Sequence, residues 1–140
     1  MSERKILLIE DEQVLSKLYG DLLAHKGYRV QTAVNVNEAL GKLATELPDL
    51  ILSDIMMPEI DGVEGCTMIR EQFGDSVPLL FVSALDDSDT IRRAFDAGGD
   101  DYLTKQSSLE DVINRVELWL DTPASERAAQ TARFRDQHNY

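Results

Sequence analysis

The sequence holds one cysteine, Cys66, which excludes an internal disulfide and any cysteine-based zinc site. Its two histidines, His25 and His138, lie too far apart in sequence to form a local ligand pair. No apolar run approaches the ~20 residues of a membrane span. The opening MSERKILLIEDE runs from a short apolar stretch straight into acid, which is not the pattern of a secretory signal. Basic residues are scarce, 14 Lys and Arg against 26 Asp and Glu, for a formal net charge of −12. Phosphate backbones and anionic lipid are held by clustered Lys and Arg, so this balance argues against nucleic acid or a membrane as a direct partner. Internal repeats and low-complexity segments are missing too. What is present is 140 residues, 43% hydrophobic and 29% charged, enough for one domain with a buried core. These features predict a cytoplasmic protein with a reduced thiol.

Five short segments have strand character: Lys5–Ile9, Tyr28–Ala33, Asp49–Ser53, Pro78–Ser83 and Asp101–Lys105. Their starts lie 23, 21, 29 and 23 residues apart, room for a strand, a crossover helix and two loops each time. Between them the apolar period becomes helical. Val14, Leu15, Leu18 and Leu22 form one stripe; Ala39, Leu40, Leu43 and Leu47 form another. The clearest is Leu109, Val112, Ile113, Val116 and Leu120. Gly27 stops the first helix and Asp61-Gly62 opens the third. Asp86 or Asp87 caps the fourth, and Ser107 or Ser108 the fifth. Strict βα alternation predicts a parallel sheet with helices on both faces. The first, third and fourth strands are apolar on both sides and belong in the centre; the mixed second and fifth belong at the edges. The order 2-1-3-4-5 satisfies that division, giving a doubly wound, flavodoxin-like α/β domain with five helices over residues 1–121.

Composition changes after Asp121. Residues 123–140 carry a net charge of +1, leaving −13 on residues 1–122. Thr122-Pro123 can start a helix, and the following ASERAAQTARF has good helix propensity but little apolar surface. Residues 122–140 therefore read as a helical extension, a linker or a frayed tail. Trp119 packs the last helix against that tail or faces a partner.

Ligands of open parallel sheets bind beyond the carboxyl ends of the strands, where the strand order reverses. Those ends carry Glu10 and Asp11, Asp54, Ser83 and Lys105. Three carboxylates that close together do not stay ionised without a cation. Only oxygen ligands are on offer in an open site, which suits Mg²⁺. A metal beside a carboxylate, with a lysine and a hydroxyl opposite, is what phosphoryl transfer needs, and a carboxylate can itself be the nucleophile.

In this arrangement ILLIEDE, LILSDIMMPEIDG, LLFVSA and GGDDYLTK, over residues 4 to about 121, make the chain similar to the receiver domain of two-component response regulators, the family that includes the chemotaxis receivers. The strand order is part of what defines that family and carries no separate weight. The resemblance implies that Asp54 accepts the phosphoryl group. It implies Mg²⁺ held by Asp11, by Glu10 directly or through water, by Asp54 and by the backbone carbonyl of Met56. Lys105 would pair with the phosphoryl oxygens, Ser83 would bond to them, and Tyr102 would turn inward on activation. The donor would be a histidine kinase or a histidine phosphotransfer protein, and the output a switched surface of the fourth helix, fifth strand and fifth helix that meets a downstream target protein. The chain would promote only its own phosphorylation and dephosphorylation, acting alone, as a phosphorelay intermediate, or as part of a longer regulator.

Gln106 departs from the pattern, standing where the family has a proline after the lysine; a trans bond is expected there, since a cis bond to a non-proline residue costs ~3 kcal/mol. Gln106 is also the one residue that favours the alternative, a phosphorylation-independent protein-interaction module. Asp54-Ile55-Met56 lacks the second aspartate of haloacid-dehalogenase-type phosphatases, and no phosphate-binding glycine loop follows the first strand. An EF-hand starting at Asp54 would need oxygen ligands where Met56 and Pro58 stand. Asp86, Asp87 and Asp89 read as helix-start acids, Glu59 and Asp61 as loop and cap, Cys66 as a small buried residue, and His25 as a surface residue at a helix end.

Overall fold

The computed structural model describes residues 3–138. Five strands, β1 (Lys5–Ile9), β2 (Arg29–Ala33), β3 (Leu50–Ser53), β4 (Leu79–Ser83) and β5 (Asp101–Thr104), pair in parallel in the order β2-β1-β3-β4-β5. Helices α1 (Gln13–His25), α2 (Val36–Thr45), α3 (Gly62–Phe73), α4 (Ser88–Asp96) and α5 (Leu109–Asp121) form the crossovers and the last return. The doubly wound fold, the strand order and the central position of the three wholly apolar strands are as the sequence predicts. Three strands start one residue later than expected. Pro78 has no N–H for the ladder, although its carbonyl still accepts from Ile51 N at 2.9 Å.

Alternation along the central strands divides the core. Leu7 and Ile9 face α2, α3 and α4, meeting Val36, Leu43, Cys66, Ile69, Ala94 and Phe95. Ile6 and Leu8 face α1 and α5, meeting Tyr19, Leu23, Val112, Val116 and Trp119. Asn35, Asp61, Asp87 and Ser108 cap α2 to α5 with their side chains, which selects Asp87 and Ser108 from the two pairs of candidates.

Two helical stripes differ from the sequence reading. On α1 the buried residues are Tyr19 and Leu23, while Val14 is 74% and Leu18 40% exposed. The apolar pattern ignored Tyr19, whose ring fills the inner face, and so placed the stripe too far round the helix. On α2 the chain leaves the helix at Glu46, so Leu47 lies outside it, exposed, ahead of Pro48.

The C-terminal extension is a docked helix. A 3-10 turn (Ala124–Glu126) follows Pro123 and leads into α6 (Arg127–Gln137). Its apolar contribution is Phe134, whose ring centroid lies 5.7 Å from that of Trp119, with the Arg115 guanidinium 4.2 Å from the Phe134 centroid. Trp119 thus packs α5 against the tail. Short apolar surface is offset by ionic anchoring. Asp100 is 4% exposed and accepts from Leu79 N (2.9 Å), Arg70 Nη2 (3.1 Å), Arg127 Nη2 (3.0 Å) and Thr131 Oγ1 (2.7 Å). Its neighbour Asp101 accepts from Trp119 Nε1 at 2.9 Å and Arg115 Nη1 at 2.7 Å.

Candidate functional site

The sheet ladder runs one residue past the strands, and that fixes the rim. Glu10 N donates to Ala33 O (3.0 Å), Asp54 N to Ile9 O (3.0 Å) and Lys105 N to Ser83 O (2.8 Å). Backbone pairing therefore brings Glu10, Asp54 and Lys105 to one edge before any side-chain contact forms. Lys105 Nζ lies 3.0 Å from Asp54 Oδ2 and 3.1 Å from Glu10 Oε1. Glu10, Asp11 and Asp54 each offer an oxygen within 4.8 Å of the others'. Glu10 and Asp54 are buried, and Asp11 is exposed.

Electrostatic strain in this cluster falls on Glu10. Burial, then the charge of Asp54, raise its pKa to about 7, with Lys105 and the Glu12 amide opposing. Burial pulls Lys105 down, but its bonds to Asp54 and Glu10 outweigh that and hold it above its ordinary value. The donor set fits a hard divalent cation. It is all oxygen, it combines an exposed carboxylate with two buried ones, and burial and the Asp54 charge raise the pKa of one of them, which a nearby cation would oppose.

Other sequence-derived residues sit nearby. Met56, two residues past Asp54, is 57% exposed. Ser83 is fully buried, and its Oγ accepts from Leu85 N at 3.2 Å. Tyr102 is 2% exposed, with its hydroxyl donating to Leu85 O at 2.6 Å and its ring under His138. Its ring is thus already inward in this structure, held by that hydrogen bond and by its neighbours. No peptide bond among the described residues is cis, so Lys105–Gln106 is trans as expected. Asp86, Asp87 and Asp89 take no part in the acidic cluster, and Cys66 is buried with its thiol pKa pushed up to about 11 by burial.

Gly62 opens α3 and also shapes the site. A Cβ there would lie 2.0 Å from Asp54 O and 2.8 Å from Ile55 Cα. Both neighbours are backbone, so the Asp54 segment would have to move. Gly62→Ala is expected to cost about 1–3 kcal/mol, read from urea unfolding, and to slow any chemistry at Asp54. Unchanged unfolding would mean that this contact relaxes without cost. The DG pair was the only sequence signal.

The profile of the response regulator receiver domain matches residues 6–117. The transcriptional regulatory protein CrdR of Helicobacter pylori is 36% identical over 119 residues, 85% of this chain and 56% of that protein. The response regulator MprA of Mycolicibacterium vanbaalenii is 36% identical over 132 residues, 91% of this chain and 57% of that protein. The chain thus spans just over half the length of these curated relatives. Among solved structures, a two-component response regulator from Clostridium difficile superposes with a TM-score of 0.80 at 30% identity, covering 84% of this chain and 96% of that one. The beryllofluoride-activated N-terminal receiver domain of Klebsiella pneumoniae RstA gives 0.78 at 28% identity, covering 85% and 100%. No described helix is long and apolar enough to cross a membrane. With the acidic rim, its lysine and the 2-1-3-4-5 sheet in one frame, the match over most of the sequence makes this chain a member of the response regulator receiver family, a signalling domain.

Proposed function

We propose that Asp54 accepts a phosphoryl group from a phosphohistidine of a histidine kinase or a histidine phosphotransfer protein. The observation that carries this reading is Lys105 Nζ standing 3.0 Å from Asp54 Oδ2 inside the acidic cluster. An Asp54 carboxylate oxygen attacks phosphorus, the P–N bond of the donor breaks, and the imidazole leaves with the bonding pair. Lys105 neutralises charge on the transferring oxygens, and the Ser83 hydroxyl donates to them after transfer. Glu10, Asp11 and Asp54, with the Met56 carbonyl, would hold Mg²⁺, whose charge offsets the negative charge gathered there. The new dianion then redirects Ser83 and, through Leu85, the hydrogen bond of Tyr102, and alters the surface seen by a downstream protein. We read the protein as cytoplasmic and as acting on no substrate but itself. One relative carries the name of a transcriptional regulator, so the exclusion of nucleic acid is confined to the residues of this chain, whose net charge is −12.

Incubation with acetyl phosphate and Mg²⁺, followed by intact mass, tests the reading: the mass of one phosphoryl group is expected. A chain that stays unmodified under these conditions would instead be the interaction module that Gln106 favours.

Glu10 makes metal binding proton-linked. Its pKa is raised in the folded chain, so the bound proton favours folding at low pH. That contribution is lost as pH rises from 4.5 through about 7. Mg²⁺ requires the carboxylate and displaces the proton, so its affinity should be about tenfold weaker at pH 6 than at pH 8. Calorimetric titration of wild type and Glu10→Gln checks this; equal affinity at both pH values in the wild type would contradict it.

Met56 and Leu85, two positions past the acceptor and the hydroxyl residue, have side chains with no group to orient an attacking water. The phosphoryl form should therefore persist for hours. Decay within seconds, followed by mass, would contradict this.

A further inference from the structure

Tyr102 lies on β5, an edge strand of the sheet, yet it is 2% exposed. The helix along that edge is α6. Its N-terminal half is fixed to the start of β5 through Arg127 and Thr131 on Asp100, and to the segment before β4 through Arg127 Nη2 on Val77 O at 3.2 Å. Farther along, Phe134 packs against Trp119 and Arg115 of α5. At the end of α6, Arg135 pairs with Asp96 of α4, and the His138 ring lies 5.9 Å from that of Phe95 and 6.3 Å from that of Tyr102, edge-on. The helix thus spans α4, β5 and α5, the surface expected from the sequence to meet a downstream protein. Tyr102 is held between Phe81, 6.2 Å away by ring centroids, and His138. Its hydroxyl already donates to Leu85 O, and Ser83 Oγ already accepts from Leu85 N, which leaves the Ser83 proton for an acceptor at the rim.

We infer that α6 is a resident partner of this face, which stays docked and holds Tyr102 inward before any phosphoryl group arrives. An aromatic side chain on an uncovered edge strand samples outward rotamers, and confining it costs side-chain entropy. Here the His138 ring stands against Tyr102 and is itself packed on α4 through Phe95. Folding of α6 has therefore confined the tyrosine already, and phosphoryl transfer does not have to. After transfer the Tyr102 hydroxyl follows the Leu85 carbonyl, while the ring keeps its place between Phe81 and His138. On the acceptor reading above, on which this step rests, α6 favours the phosphorylated state. Reciprocity then requires that weakening α6 disfavours phosphorylation.

Nitration of the full chain by tetranitromethane, read by peptide mass spectrometry with and without acetyl phosphate and Mg²⁺, tests this. Tyr28, half-buried just ahead of β2 at the opposite edge, is the internal reference. Tyr102 should be nitrated on the order of tenfold more slowly than Tyr28, at the same rate in the modified and the unmodified chain. In His138→Ala, which touches neither the rim nor Asp100, Tyr102 should approach the Tyr28 rate in the unmodified chain. His138→Phe keeps a ring there and should restore protection. Protection that appears in the wild type only after phosphoryl gain, or that survives in His138→Ala, overturns the inference. Intact mass should show His138→Ala gaining the phosphoryl group severalfold more slowly than the wild type; an equal rate overturns the coupling to the rim. A wild-type chain that gains no phosphoryl mass overturns the acceptor reading, while nitration of the unmodified chain still decides whether α6 holds Tyr102.

Discussion

Asp54→Asn should abolish phosphoryl gain from acetyl phosphate and Mg²⁺ while leaving the fold intact. Asparagine keeps the shape and the hydrogen bond from Ile55 N, 2.7 Å in the wild type, but its amide is not a nucleophile toward phosphorus. Lys105 would keep Glu10, 3.1 Å away, as its partner. Burial and the Asp54 charge together raise Glu10, so losing that charge should bring its pKa down toward its ordinary value and not lower the melting temperature. The result is total loss of function at no cost in stability, a combination that a misfolded variant cannot produce. Phosphorylation of Asp54→Asn at the wild-type level would place the chemistry elsewhere.

The largest stability effect is expected far from the rim. Asp100→Ala removes a buried carboxylate that serves the Leu79 amide, two guanidinium groups and the Thr131 hydroxyl. Arg70 and Arg127 are mostly buried, at 11% and 17% side-chain exposure, so neither recovers full hydration when its partner goes. Removing one partner from a buried ionic cluster typically costs about 3–5 kcal/mol. Urea unfolding should fall by that amount, and α6 should lose protection from exchange. A cost below about 1 kcal/mol would mean that water replaces the carboxylate and that the remaining contacts, Phe134 on Trp119, Arg127 on Val77 O and Arg135 on Asp96, suffice to hold α6.

The sheet and most of the rim were legible in the sequence because a parallel strand buried on both faces leaves an unbroken apolar run, and its next residue has one place to go. ILLI followed by Glu10-Asp11, and LILS followed by Asp54, need no side-chain information to be placed. The tail was less legible. Nothing in the sequence marks Asp100, or Asp101 at the start of its strand segment, as buried, yet both are, and their partners Arg70, Arg115 and Arg127 are distant in sequence. Ion pairing across such separations leaves no periodic trace. The same limit applies to Tyr19 and Gly62: a polar tip hid one core residue, and a requirement for empty space hid the other.

The most direct test of the phosphoryl-acceptor reading is the position of the modified residue. Borohydride reduction of acetyl-phosphate-treated protein, followed by peptide mass spectrometry, converts an acyl phosphate to an alcohol and marks its carbon. The mark is expected on residue 54 alone, dependent on Mg²⁺ and lost in Lys105→Ala. A mark on any other aspartate, or on residue 54 with equal yield after chelation, would contradict it.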